Sequence, residues 1–230
     1  KELSQNNNIK FHQKLETNTE KVNFEKIELK NVFFKRIDDE KNSLKNINFT
    51  LSKGDYIGIK GSSGSGKTTF VDILCGLLKP SQGKIICNDK IDITNFSNTT
   101  PIKIGYIPQN IHLTNSNLKS NIAFGVHEEQ IDENKIINIL KICKLDKFYS
   151  GSKILEKPIG DDGIKLSGGE KQRIGIARAL YQDPDLFIFD EFTSSLDQDT
   201  EKKIIDNLNI IKKDKTFVII SHRDTALLNC

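Results

Sequence analysis

One octapeptide limits what this chain can fold into more than any other feature: Gly61-Ser62-Ser63-Gly64-Ser65-Gly66-Lys67-Thr68. It fits GxxxxGK[ST]. The octapeptide follows an apolar run ending before Lys60 and precedes a helical pattern of Phe70, Val71, Ile73, Leu74, Leu77 and Leu78 that Lys79-Pro80 is expected to stop. In a strand-loop-helix setting, the bare backbone N–H groups of such a loop surround phosphates, and the positive end of the helix dipole faces them. Lys67 would hold the β- and γ-phosphates, Thr68 would offer its hydroxyl to Mg²⁺, and Thr69 would stand beside the inner phosphates. A strand, a helix and a nucleotide are thus expected to meet at one point.

Two further stretches carry chemistry. Leu186-Phe187-Ile188-Phe189-Asp190-Glu191 buries four apolar residues and releases two carboxylates at the strand's C-terminal end, where open α/β sheets bind ligands. Asp190 is expected to position Mg²⁺, and Glu191 to orient and deprotonate the attacking water. Leu166-Ser167-Gly168-Gly169-Glu170 leads directly into KQRIGIARALY. Ser167, Gly168 and Gly169 bring a hydroxyl and bare N–H groups to a helix N-terminus, where unpaired donors and the macrodipole favour an anion.

Composition removes several function classes. The 230 residues are 36% hydrophobic, enough for a sizeable core, and the net charge of +3 comes from 34 basic and 31 acidic residues scattered along the chain. No concentrated basic surface results, so no nucleic-acid partner is expected. Runs such as Ile211-Lys212-Lys213-Asp214-Lys215 are read as solvated surface. Cys75, Cys87, Cys143 and Cys230 lie far apart and form no CxxC pair, which speaks against zinc and for a reducing compartment. No apolar stretch approaches the roughly 18 residues of a membrane span.

Residues 1 to 24 are polar and aperiodic, as in a linker or peripheral arm. Strands are expected at 27–34, 44–51 and 56–59, with Gly54-Asp55 turning between the last two. The segment from about Asn110 to Leu166 is expected to be mostly helical, most clearly over 131–145, where Ile136, Leu140 and Cys143 share a stripe. A helix opening at LSGGE, a strand at 186–189, a helix around 200–208 and a strand at 216–220 follow. Strands alternating with helices imply an α/β fold with a parallel sheet covered on both faces.

GSSGSGKTT, Gln109 in YIPQN, LSGGE, LFIFDE, SSLD at Ser194 to Asp197 and His222 in ISHR occur in one order. Together they resemble the ATPase domain of ABC transporters over nearly everything from Ile27 onward. The resemblance implies a P-loop NTPase (RecA-like) core made of 25–109 and 169–230, with a small N-terminal antiparallel β subdomain and an inserted helical subdomain at 110–168. It implies ATP and Mg²⁺ as ligands, with Gln109 joining Thr68 and Asp190 at the metal and coupling the γ-phosphate to a transport subunit. His222 would contact the γ-phosphate, and Asp197 would communicate across a dimer. In that family the LSGG segment, here with Gly168 at its centre, faces the nucleotide held by another subunit, so Ser167 and Gly169 would act in trans within a head-to-tail dimer that sandwiches two ATP molecules.

PQNIHLTNSNLKSNIAFG resembles the segment that exporters carry after Gln109. Lys157-Pro158-Ile159-Gly160-Asp161-Asp162-Gly163 resembles their acidic loop, which contacts the coupling helices of the membrane domain, with Asp161 where Glu is usual. Departures exist. Where exporters stack an aromatic residue on adenine, this chain has Arg36, with Phe34 as the alternative if the strand register differs; guanidinium also stacks on a base plane. Glu170 replaces the commoner Gln, and Phe192 and Ser195 replace small residues. The family normally continues beyond Cys230, so a trimmed domain joined through residues 1–24 to a missing transmembrane half is expected, at the cytoplasmic face of a bacterial inner membrane.

The sequence therefore predicts a Mg²⁺-dependent exporter-type ATPase with Lys67, Gln109, Glu191 and His222 in catalysis. A soluble ABC-type ATPase acting on nucleic acid or a scaffold complex would call for long insertions, a basic surface or coiled-coil arms, none of which is present. A sensor without turnover would not need Glu191. The cargo belongs to helices outside this chain.

Overall fold

The computed structural model describes residues 23–35, 43–94, 102–145, 155, 158, 159, 163, 166–193, 196–211, 215–222 and 227. Arg36, Asp161, Asp162, Ser194 and Ser195 lie outside the described residues.

Strands β7 (Leu186–Asp190) and β8 (Thr216–Ile220) are buried at every position, which is why they read as continuous apolar runs rather than alternating ones. They form the middle of a four-stranded parallel sheet in the order β3-β8-β7-β6, with β3 at Tyr56–Ile59 and β6 at Ile104–Ile107. Successive side chains leave opposite faces. Phe187, Phe189, Phe217 and Ile219 enter one core with residues of α3 (Glu133–Ile142), α4 (Gly168–Gln182) and α5 (Gln198–Ile211). The rings of Phe187 and Phe217 stack there at 5.0 Å. Leu186, Ile188, Val218 and Ile220 enter a second core, packed against α1 (Lys67–Leu74).

That second core is closed by an antiparallel sheet in the order β2-β1-β4-β5, built from β1 (Lys26–Phe34), β2 (Leu44–Ser52), β4 (Gln82–Cys87) and β5 (Ile91–Asp92). Ile27, Leu29, Leu51 and Ile85 face Phe70, Val71, Ile73 and Leu74 of α1. Phe24 is also buried in this core, so the packed domain includes a residue that the composition alone assigned to the arm. The expected strands β1 to β3, β7 and β8 are present and the architecture is the P-loop NTPase one; β4, β5 and β6 go beyond the strands expected.

Two local expectations need correction. Helix α1 ends at Leu74 and not at Lys79-Pro80, because Gly76 at φ +73° closes it: its N–H donates to Ile73 O (3.0 Å) and that of Leu77 to Asp72 O (2.7 Å). Leu77, expected on the buried face, is consequently 64% exposed. Between Asn110 and Leu145, α-helix is confined to α2 (Leu118–Ile122) and α3, and the intervening chain is held by side chains. Asn121, fully buried on α2, bonds the Thr114 N–H and the carbonyls of Thr114 and Asn117, satisfying a non-helical loop that periodicity could not reveal. The predicted stripe of α3 is correct: Ile136, Leu140 and Cys143 are all buried.

Candidate functional site

The carboxyl ends of all four parallel strands discharge at one edge of the sheet. β3 runs into the 61–66 loop, β6 into Gln109, β7 into Asp190 and Glu191, and β8 into His222. This is where an open α/β sheet leaves a crevice. A cavity of about 540 Å³ opens there, lined by Ser43, Ser63, Gly64, Gly66, Lys67, Thr68, Thr69, Gln109, Glu191 and His222.

The loop is shaped by its own hydrogen bonds. Lys67 Nζ donates to Gly61 O (2.8 Å) and Ser62 O (3.0 Å), folding the loop around its own ammonium group. Ser65 N–H donates to Ser62 O (3.2 Å). Gly66 lies at φ +92°, and a Cβ there would sit 2.8 Å from Ser43 O and 3.0 Å from Leu44 Cδ2. Gly66→Ala is therefore expected to distort the loop at a cost of about 1–3 kcal/mol, which is about 5- to 150-fold in ATP affinity where it falls on the bound loop. Nucleotide titration beside a urea midpoint checks this, and an unaltered affinity contradicts it.

Opposite the loop, the Glu191 carboxylate is held at both oxygens. Gln109 Nε2 donates to Oε2 (2.9 Å), and His222 Nε2 lies 3.0 Å from Oε1. Glu191 itself occupies the left-handed region at φ +49°, with its N–H bonded to Ile220 O (2.9 Å), so the backbone turns sharply where the strand ends. Asp190 is buried one residue earlier and accepts from Tyr106 Oη at 3.3 Å. Burial pushes its carboxyl up from the ordinary value; the Tyr106 bond and Lys67 oppose that rise, while Glu191 and Asp72 add to it. The same burial, reinforced by Asp190, raises the Tyr106 phenol.

Ser167, Gly168, Gly169 and Asp197 are not among the residues lining this cavity. Ser167 caps α4 in a capping box: Glu170 N–H donates to Ser167 Oγ (3.3 Å), and Ser167 N–H (2.7 Å) and Oγ (2.9 Å) both donate to Glu170 Oε2. The hydroxyl expected to be exposed for a ligand is thus engaged within its own helix turn. Gly168 stays exposed. Asp197 Oδ1 accepts from Thr200 N–H (2.9 Å) at the start of α5, which holds its carboxyl below the usual range.

Helix α4 is fastened to the segment after Gln109 along one stripe. Gln172 Nε2 donates to Gln109 O (3.5 Å), and Arg178 donates to His112 O (3.1 Å) and Asn121 O (2.9 Å). Between them a Cβ on Gly175 would fall 2.4 Å from Ile111 Cδ1, so only glycine allows this approach without moving Ile111. Sequence reasoning missed Ser43 and Tyr106. Nothing around Ser43 signals a ligand, and the role of Tyr106 depends on the pairing of β6 with β7.

A sequence profile described as ABC transporter matches residues 44–194, which include the phosphate loop, Gln109, the α4 start and both carboxylates. The chain belongs to the ABC transporter family. An ABC transporter B family member 6 of Dictyostelium discoideum is 36% identical over 223 residues, 93% of this chain and 32% of that protein. An ATP-dependent lipid A-core flippase of Cupriavidus metallidurans is 33% identical over 205 residues, 86% of this chain and 34% of the flippase. A bacterial Atm1-family ABC exporter solved with ATP bound superposes with a TM-score of 0.79 at 30% identity, covering 90% of this chain and 36% of the exporter. The chain spans about a third of the length of these relatives. Among the described residues of this ABC domain, no helix is long and apolar enough to cross a membrane.

The residues fit the ligands that the family implies. The 61–66 loop supplies an anion cradle, with Lys67 already inside it. Among the described residues no group of three or more His, Cys, Asp or Glu could hold a metal ion by itself. Mg²⁺ is ordinarily held through one or two protein oxygens, with water and substrate phosphates completing its shell. Thr68 and Asp190 are oxygen donors of that kind.

Proposed function

We propose that this chain is the ATP-hydrolysing domain of an exporter-type ABC transporter and works as one half of an ATP-dependent dimer. The observation that carries it is the convergence of Lys67, Thr68, Gln109, Glu191 and His222 on one cavity, with a carboxylate base gripped at both oxygens. Lys67 leaves the carbonyls of Gly61 and Ser62 for the β- and γ-phosphates, while the N–H groups of 61–66, Thr68 and Thr69 bind the remaining oxygens. Thr68, Asp190 and Gln109 would hold Mg²⁺, which neutralises charge on the β- and γ-oxygens when bound.

Glu191 orients a water and takes its proton. Each of its two oxygens keeps a lone pair for that water beside the contacts to Gln109 and His222. His222 then steadies the carboxylate and contacts the γ-phosphate. Arg36 would stack on adenine in preference to Phe34, the alternative, whose ring is buried in the core beneath β1.

Ser167, Gly168 and Gly169 complete the site of a second copy, which explains why none of them lines this chain's own cavity, and Asp197 joins the same seam. The Gln109 region and the Asp161 loop would receive the coupling helices of a membrane domain at the cytoplasmic face of the inner membrane. A dimeric mechanism predicts that specific ATPase activity rises with chain concentration. It also predicts that a hydrolysis-deficient Glu191→Gln chain elutes as a dimer with Mg-ATP and as a monomer when Ser167→Arg is added. Concentration-independent turnover by a monomer contradicts the half-site role.

A further inference from the structure

We infer that Tyr106 is a positioning residue for Asp190: its phenol sets the carboxylate that receives the divalent cation accompanying the nucleotide. The inference rests on the reading of Asp190 proposed above. Its starting point is strand register. β6 lies parallel to β7 with Tyr106 opposite Ile188, two residues before Asp190. Side chains alternate along a strand, so Tyr106, Ile188 and Asp190 leave the same face of the sheet. Ile188 and Tyr106 both pack with the core that contains α1, the helix whose first turn carries Lys67 and Thr68. The phosphate loop, the buried carboxylate and the phenol are therefore stacked on one side of the sheet.

Contact follows from that placement. Tyr106 Oη donates to Asp190 Oδ2 at 3.3 Å, and Asp190 is 7% exposed. A carboxylate at a strand end has two side-chain torsions to fix, and the bond to Oδ2 fixes the second one from a rigid strand. Oδ1 remains for a cation or its water. The surroundings make a neutral donor the suitable partner here. Asp72 and Glu191 are neighbouring carboxylates, and a cationic donor in place of the phenol would compete with Lys67 and the metal for the same charge. A phenylalanine would fill the same volume but leave the buried Oδ2 without this donor.

Phosphate binding and metal positioning separate in the Tyr106→Phe chain. Partners that orient metal ligands typically carry about ten-fold or more in metal affinity. Tyr106→Phe should raise the Mg²⁺ midpoint of ATP hydrolysis about ten-fold. Calorimetry should show the same displacement for Mg²⁺-supported ATP binding, with ATP affinity in EDTA unchanged. A lower thermal midpoint with an unchanged Mg²⁺ dependence overturns the inference, because it reduces Tyr106 to a packing residue; an equal loss of metal-free affinity overturns it too. If the variant does not fold, the wild-type chain still decides. It has four Tyr and no Trp, so its intrinsic fluorescence reports tyrosine, and the adenine of ATP does not emit. A difference in tyrosine emission between Mg-ATP and metal-free ATP is expected, and its absence overturns the inference. A wild-type chain that neither binds nor hydrolyses ATP would instead contradict the underlying functional reading.

Discussion

Glu191→Gln lowers steady-state ATP turnover by about 10²–10⁴-fold, the contribution typical of a positioned general base. ATP affinity stays within a few-fold of the parent chain. The separation arises because Glu191 bonds to no group of the phosphate loop: its contacts are Gln109 Nε2 at 2.9 Å and His222 Nε2 at 3.0 Å. A glutamine at this position keeps the shape but has one oxygen and one NH₂ for two partners. It satisfies Gln109 with its oxygen, and His222 by switching to the tautomer that accepts at Nε2. The site is therefore preserved while the base is lost. Single-turnover phosphate release and equilibrium nucleotide binding, measured on the same preparation, check both halves. Turnover within three-fold of the parent removes Glu191 from the chemistry.

Lys67→Ala acts at the other wall and fails earlier, at binding. Charge-assisted hydrogen bonds contribute about 1.5–3 kcal/mol each, so two lost bonds to phosphate oxygens correspond to roughly 10²–10⁴ in ATP affinity. The same substitution removes the ammonium group that folds the loop around itself through Gly61 O and Ser62 O. Both effects act in one direction. Titration with a fluorescent ATP analogue should show no saturation at concentrations that saturate the parent, while far-UV circular dichroism and the thermal midpoint stay close to it. Affinity within three-fold of the parent would place the phosphates elsewhere.

These two effects were legible in the sequence because they rest on groups adjacent in the chain: a loop between a strand and a helix, and two carboxylates after four buried residues. What escaped depends on pairings between distant segments. Tyr106 meets Asp190 only through the β6–β7 register, and Ser43 enters the cavity only because β2 begins beside Gly66. The end of α1 is hidden for a local reason, since Pro80 is the louder breaker but Gly76 reaches its left-handed conformation first. The strands β4 and β5 carry little sequence signal because three exposed residues open β4 and β5 spans two residues, too short a pattern for alternation to register. The Ser167 hydroxyl stands at an exposed helix start, yet Glu170 three residues later claims it, as a Ser-x-x-Glu spacing there predicts.

The attachment of α4 to the segment after Gln109 has a mechanical meaning. Gln172 grips the backbone of Gln109, Gly175 lets Ile111 touch the helix, and Arg178 closes the far end. Ser167 is five residues from the first of these rivets, about 7.5 Å along a helix that rises 1.5 Å per residue. A lever this short does not bend. On the dimeric reading, a shift of Gln109 toward one nucleotide would swing the helix tip presented to the other, so each chain would act as a crank between two fuel chambers.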